Sequence, residues 1–295
     1  MTGMNKSEHN LLAKKELLEI FINHRVHSPF PGDWESIFKG LGYEFWSLRE
    51  LEPTDPFKNI DWKATAKTGK YFVRQYLAES YFNVMLLYDI STSVQFGRKE
   101  LLQAHIAVSL AYSAITSNDG CGLILFADDI VGYIPPRMGK SHFMEILRAI
   151  AHAEPVSCRA TNLNIALTKL INEIPESLTF ILSDFMYPLD IRYSFHHTVH
   201  GTNKHEVKAI QVLEECEIAL PENGAGILPL FDYESGRMAV LDLSTWQTYN
   251  DVMRQQRAAI KNQLNRAGID MVTISPADDF ALTINTFMKR PPSSY

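Results

Sequence analysis

Basic surplus is missing from this sequence. Lys and Arg total 28 against 34 Asp and Glu, so the formal net charge is −6. A general nucleic-acid binder needs a cationic surface to displace counterions from phosphates, and that class is excluded as the expectation here. Cysteine is also scarce. Cys121, Cys158 and Cys216 are odd in number, widely spaced and free of any Cys-x-x-Cys pair. They give neither a disulfide framework nor a zinc site and suit a reducing compartment, so a cytoplasmic location is expected. No apolar run approaches the ~18–20 residues that a membrane-spanning helix needs, and the polar start Met1 to Asn10 has no signal-peptide core. Direct membrane insertion is therefore not expected. Phosphate-loop chemistry is absent as well. Gly139-Lys140-Ser141 imitates the end of such a loop, but the required first glycine is Ile134.

What is present is an ordinary globular composition, 46% hydrophobic and 21% charged over 295 residues. From Tyr81 onward, strand-like and helix-like segments alternate. Strand Phe82–Tyr88 precedes helix Lys99–Ser117, whose apolar residues fall on nearly every side and mark it as buried. Strand Gly122–Phe126 leads into a ribbon ending at Pro135-Pro136, followed by helix His142–His152. Helix Asn164–Asn172, strand Leu178–Ser183 and strand Val207–Leu213 come next. A hairpin Ile227–Tyr233 and Arg237–Leu243, helix Thr245–Ala267 closed by Gly268, strand Asp270–Ser275 and helix Phe280–Lys289 complete the pattern. The alternation predicts an α/β fold, a doubly wound, mainly parallel, Rossmann-like sheet with helices on both faces. Residues 1–79 do not continue this repeat. They read as an N-terminal arm of helix (about 10–24) and strand (Glu44–Leu48, Tyr71–Leu77) packed on a main domain of residues 80–290, with 291–295 a frayed tail.

The chemistry sits where the first core strand ends. Val-Met-Leu-Leu-Tyr runs out into Asp89-Ile-Ser91-Thr92-Ser93, which places one carboxylate and two hydroxyls at a sheet end. Such oxygens suit a hard divalent cation, although the same three residues alone also read as a turn with a helix cap. Two further segments favour the cation. Arg159-Ala-Thr161-Asn162 enters a helix, and the strand Leu178–Ser183 ends in Asp184-Phe185. In a doubly wound sheet, ligands gather at the carboxyl ends of strands where the strand order reverses. The strands ending at Asp89 and Asp184 are the expected neighbours at that point, with Thr161 reaching the same crevice. Ser91 replaces the second carboxylate that phosphoryl-transfer enzymes use as acid and base, and it is a poor proton shuttle. His196, His197, His200 and His205 read as a solvated or partner-facing loop.

Asp89-x-Ser91-x-Ser93, Thr161 and Asp184 resemble the metal-ion-dependent adhesion site of von Willebrand factor A domains, over about residues 80–290. Upstream, Gly42-Tyr-Glu-Phe45-Trp-Ser-Leu-Arg49, Lys58-Asn-Ile60-Asp61-Trp62, Lys67, Val73-Arg74 and Glu79 resemble the segment before the A domain in bacterial proteins of the domain-of-unknown-function 58 family. The chain departs from that pattern at Leu51, at Thr54-Asp55-Pro56, and in carrying Lys58 and Lys67 where relatives have arginine. Lysine lacks the bidentate fork of arginine, so whatever those arginines grip is held more loosely here. The resemblance implies a non-enzymatic adaptor with Mg2+, or else Mn2+ or Ca2+, on Asp89, Ser91, Ser93, Thr161 and Asp184. It also implies a MoxR-type AAA+ ATPase, or another protein presenting Asp or Glu, as partner. Thr92, Arg159, Asn162 and Phe185 would form the partner-binding rim, with Thr161 a rim residue outside the core. A metal-dependent hydrolase is the competing expectation, and a structural domain with an empty site is the third.

Overall fold

The computed structural model describes residues 48–50, 71–74, 83–156, 160–195, 205–222, 226–231 and 238–289. The expected helix at 10–24, Lys58, Asp61-Trp62, Lys67, Cys158, Arg159, His196, His197, His200 and the 291–295 tail lie outside the described residues. Strands β1 (Leu48–Glu50) and β2 (Phe72–Arg74) pair antiparallel within a small compact unit, Pro31–Tyr81.

The larger unit carries the sheet. Its strands are β3 (Asn83–Asp89), β4 (Gly120–Phe126), β5 (Ile130–Arg137), β6 (Ser177–Ser183), β7 (His205–Val212) and, after a separate hairpin β8–β9 (Ile227–Phe231, Met238–Asp242), β10 (Asp270–Ile274). They lie in the order β10-β7-β6-β3-β4-β5. All pairings are parallel except β4 with β5. The parallel core strands are covered on both faces, which is why Val84–Tyr88 and Leu178–Leu182 are near-continuous apolar runs instead of alternating ones. Proline cannot donate to a ladder, so Pro135 and Pro136 confine β5 to the sheet edge.

Helices α1 (Lys99–Thr116) and α2 (Lys140–Ala151) pack together on one face. Helices α3 (Leu163–Glu173) and α5 (Trp246–Arg266) cover the other, where Leu167, Leu170 and Leu264 meet Met85, Leu87 and Ile181. The short α4 (Glu215–Ile218) follows β7, and α6 (Phe280–Met288) packs against β10. Asp279 caps α6 by accepting the Leu282 N–H, and Gly268, with φ 76°, closes α5 as its sequence position predicts. Among the described residues no helix is long and apolar enough to cross a membrane.

The expected doubly wound α/β sheet is therefore present, and from β3 onward the elements fall where the sequence predicts them. One expectation needs correcting. His205 belongs to no loop. It lies on β7, 8% exposed, with Nδ1 2.9 Å from the Ser177 hydroxyl, because β7 begins earlier than the apolar pattern suggested.

Gly122 is a packing requirement of the sheet. A β-carbon there would stand 2.5 Å from Met85 Sδ and 2.9 Å from both the Ile134 carbonyl oxygen and Pro136 N, at a bulge between β4 and β5. Backbone atoms cannot move aside as a side-chain tip can. Gly122→Ala is expected to destabilise the fold by about 1–3 kcal/mol, the usual range for overpacking. Urea unfolding checks this, and a midpoint equal to wild type would show that the β5 edge yields freely.

Candidate metal centre

From β3 the chain proceeds to β4 and β5 on one side, and from β6 to β7 and β10 on the other, so the strand order reverses between β3 and β6. Asp89 and Asp184 sit at or just past the carboxyl ends of these two parallel neighbours. The strand ends are tied together by side chains. Ser183 Oγ donates to Asp89 Oδ2 at 2.6 Å, and the Ser91 N–H donates to Asp89 Oδ1 at 2.8 Å. Behind them, Gln103 of α1 donates to the Asp89 carbonyl at 2.8 Å and Gln211 of β7 to the Asp184 carbonyl at 3.0 Å. These amides satisfy carbonyls that the ending ladder leaves open.

After Asp89 the chain turns into a 3₁₀ segment, Thr92–Gln95, which brings Ser91 Oγ within 3.1 Å of Ser93 Oγ. After Ser183 it turns sharply through Phe185, a non-glycine residue at φ 52°, whose N–H donates to Ser183 Oγ at 2.9 Å. Asp184 Oδ1 accepts the Met186 N–H at 3.1 Å, while Oδ2 accepts Lys99 Nζ at 2.9 Å. A third loop closes in beside β3 and β4. Val156 N–H donates to the Ile90 carbonyl and Thr92 Oγ1 to the Val156 carbonyl, at 2.9 and 3.1 Å. On the far side of the undescribed 157–159 stretch, Asn162 N–H donates to the Ala127 carbonyl at 2.8 Å and the Asn162 side chain caps α3.

Of the expected ligands, Asp89, Ser91, Ser93 and Asp184 are thus brought together, and Thr161 is held at the same end of the sheet. Two rim expectations need correcting. Phe185 is fully buried in the α3–α5 core, because the left-handed turn at this residue points its ring inward near Tyr187. Thr161, expected at the rim, is only 5% exposed, since the loop that carries it is pinned to β4. Asn162 is exposed and Thr92 half-buried. An open cleft of about 320 Å³ begins at Thr161 and Asn162 and is walled by Asp128, Tyr187, Pro188 and Arg192.

The electrostatics leave negative charge over. Burial, then the charge of Asp184, pushes the Asp89 carboxyl up to about 7, against the pull of its Ser183 and Ser91 hydrogen bonds. Burial pulls the Lys99 ammonium down, but Asp184 and Glu217 outweigh it and the net shift is upward. Burial also raises Glu217, against Lys99. Among the described residues no three His, Cys, Asp or Glu side chains group around a metal position. The donor set is instead rich in hydroxyls, with an undercompensated carboxylate behind them. Such a donor set would suit a hard cation, with Ser91 and Ser93 as neutral oxygen donors beside Asp89 and Asp184.

Sequence reasoning missed Lys99, Gln103, Ser183, Gln211 and Glu217. A signal existed for four of them. Lys99 and Gln103 are polar residues four apart on a largely apolar helix, Ser183 closes an apolar strand, and Gln211 interrupts the apolar end of another. Glu217 had none, because α4 is too short to show periodicity.

The family model described as "Protein of unknown function DUF58" matches residues 47–262. The chain belongs to this family. An uncharacterized protein of Mycobacterium tuberculosis, Rv1480, is 26% identical over 287 residues, covering 94% of this chain and 89% of the relative. The uncharacterized protein YeaD of Bacillus subtilis is 29% identical over 116 residues, 38% of this chain and 28% of YeaD. Among solved structures, the conserved hypothetical protein BatB of Bacteroides thetaiotaomicron shares 17% identity at a TM-score of 0.43, over 71% of this chain and all (100%) of BatB. The SpRpn10 VWA domain shares 14% at 0.33, over 70% of this chain and 95% of that domain. The DUF58 match begins at residue 47 and runs through both candidate aspartates.

Proposed function

We propose that this DUF58-family chain is a non-enzymatic, metal-dependent interaction protein. Its strand-end site would bind a divalent cation, most suitably Mg2+, with Mn2+ or Ca2+ as alternatives, on Asp89, Ser91, Ser93, Thr161 and Asp184. The observation that carries this reading is the convergence of the Ser91 and Ser93 hydroxyls, 3.1 Å apart, in front of the buried Asp89 at the strand-order reversal. Neutral direct ligands quench little of the ion's charge. The ion keeps an electrophilic, water-filled position that an Asp or Glu carboxylate of a partner protein can take. A MoxR-type AAA+ ATPase is the candidate partner, in assembly or maturation of other proteins, and the ATPase would supply the energy. A hydrolase using the same ion needs a general base near the bound water. Asp89 is a poor one, being fully buried with both oxygens already accepting hydrogen bonds.

Millimolar Mg2+ or Mn2+ is expected to raise the melting temperature, because a cation at 100 times its Kd adds about 2.7 kcal/mol to a fold that alone binds it. Ser91→Ala should abolish that rise, and chelator should release the ATPase from wild-type chain in a pull-down. Identical melting of wild type and Ser91→Ala with and without metal would end the metal reading. Retention of the ATPase in chelator would end the carboxylate-capture reading alone.

A further inference from the structure

Lys99 is placed against two general tendencies. It is the first residue of α1, where the helix dipole is positive and a cation is disfavoured, and its side chain is 1% exposed. Something must compensate it there. Nζ stands 2.9 Å from Asp184 Oδ2 and 2.8 Å from Glu217 Oε1, so the ammonium bridges a proposed metal ligand and a second acid. Glu217 is itself held in place. Its Oε2 accepts the Glu214 N–H at 2.8 Å in the capping box of α4, leaving Oε1 for the lysine. Glu214 in turn accepts the Arg98 N–H, which clips the segment after the serines to the same short helix. Through Glu217, α4 thus helps to seat the ammonium on Asp184.

Resting on the metal reading above, we infer that Lys99 is a built-in cation that limits how tightly the site holds its divalent ion. Asp89 and Asp184 together offer two negative charges. Lys99 cancels one and occupies an Asp184 oxygen that the metal would otherwise draw on. With Asp89, Asp184 and Lys99 alone a divalent ion would keep net positive charge, which Glu217 offsets only from beyond the lysine. A partner's carboxylate is the group that would complete the ion. Glu217 tempers the lysine, so the two side chains tune the site in opposite directions. This makes Lys99 a positioning and charge-setting residue, not a ligand.

Mn2+ titration calorimetry on the full chain tests the inference with two substitutions of opposite sign. Lys99→Met should tighten Mn2+ binding at least about tenfold, since a positive charge a few ångströms from the ion is removed. Glu217→Gln should weaken it by about tenfold, because the lysine is left facing Asp184 alone, while the amide oxygen can still accept the Glu214 N–H. A merely structural role would weaken binding in both. Lys99→Met binding no tighter than wild type, or Glu217→Gln binding as well as wild type, overturns the inference while the metal reading stands. If Lys99→Met does not fold, the Glu217→Gln result decides alone. Absence of Mn2+ binding by wild type and Lys99→Met alike removes both the metal reading and the inference.

Discussion

Without metal at pH 8, Asp89→Asn is expected to melt above the wild type, by about 2 kcal/mol of stability. Burial and Asp184 raise the folded Asp89 carboxyl from 3.8 to about 7. Between those values the folded state holds a proton that the unfolded state has released. The native state therefore binds more protons, and stability falls as pH rises through that window, reaching its full loss above pH 7. A shift of this size corresponds to about 4 kcal/mol at most. Asparagine removes the charge but loses the bond accepted from Ser183 Oγ, which gives back about 1–2 kcal/mol. At pH 5 wild-type Asp89 is largely neutral in the fold, and the advantage of asparagine should vanish. Mg2+ should reverse the comparison, because a cation bound there would stabilise ionised Asp89 and gain less from the amide. Thermal melts at pH 5 and pH 8, with and without Mg2+, check all of this. A metal-free wild type that is equally stable at both pH values would show that Asp89 is compensated by a cation beyond those named here.

The same site shows how far the sequence could be read. The Asp-x-Ser-x-Ser run after an apolar strand, and a second apolar strand ending in Asp184, were legible because parallel core strands are continuous apolar runs with abrupt polar ends. That the two are sheet neighbours follows from the βα alternation, and the pairing of Val84 with Leu178 bears it out. Burial of loop residues was not legible. Phe185 looked like a surface residue after a strand, yet its positive φ turns it into the core, and a backbone dihedral leaves no mark in a single non-glycine residue. The compensating network was hidden for a similar reason. Lys99 and Glu217 are 118 positions apart, and only the packing of α4 beside the start of α1 brings their charges together.

Lys99→Met is expected to be the most destabilising of these substitutions in the metal-free protein, by about 3–5 kcal/mol, the usual result of breaking a buried ion pair from one side. Methionine fills much of the space of the lysine stem, so the loss is one of charge. Asp184 would be left buried with only the Met186 N–H, and Asp89 would face it across the strand ends. Two consequences separate this from a packing defect. Mn2+ should restore most of the lost stability, because a divalent ion supplies the positive charge that the lysine carried, whereas a cavity is indifferent to metal. Adding Asp184→Asn should also restore stability in the metal-free state, so that the double variant is markedly more stable than the sum of the single effects. Residues in direct contact show coupling of about 0.5–3 kcal/mol, and a pair this buried belongs at the upper end. Urea unfolding of the four proteins with and without Mn2+ measures the coupling. Simple additivity, together with a loss that Mn2+ leaves untouched, would mean that Lys99 holds the start of α1 by packing and that the charge balance of the site is set elsewhere.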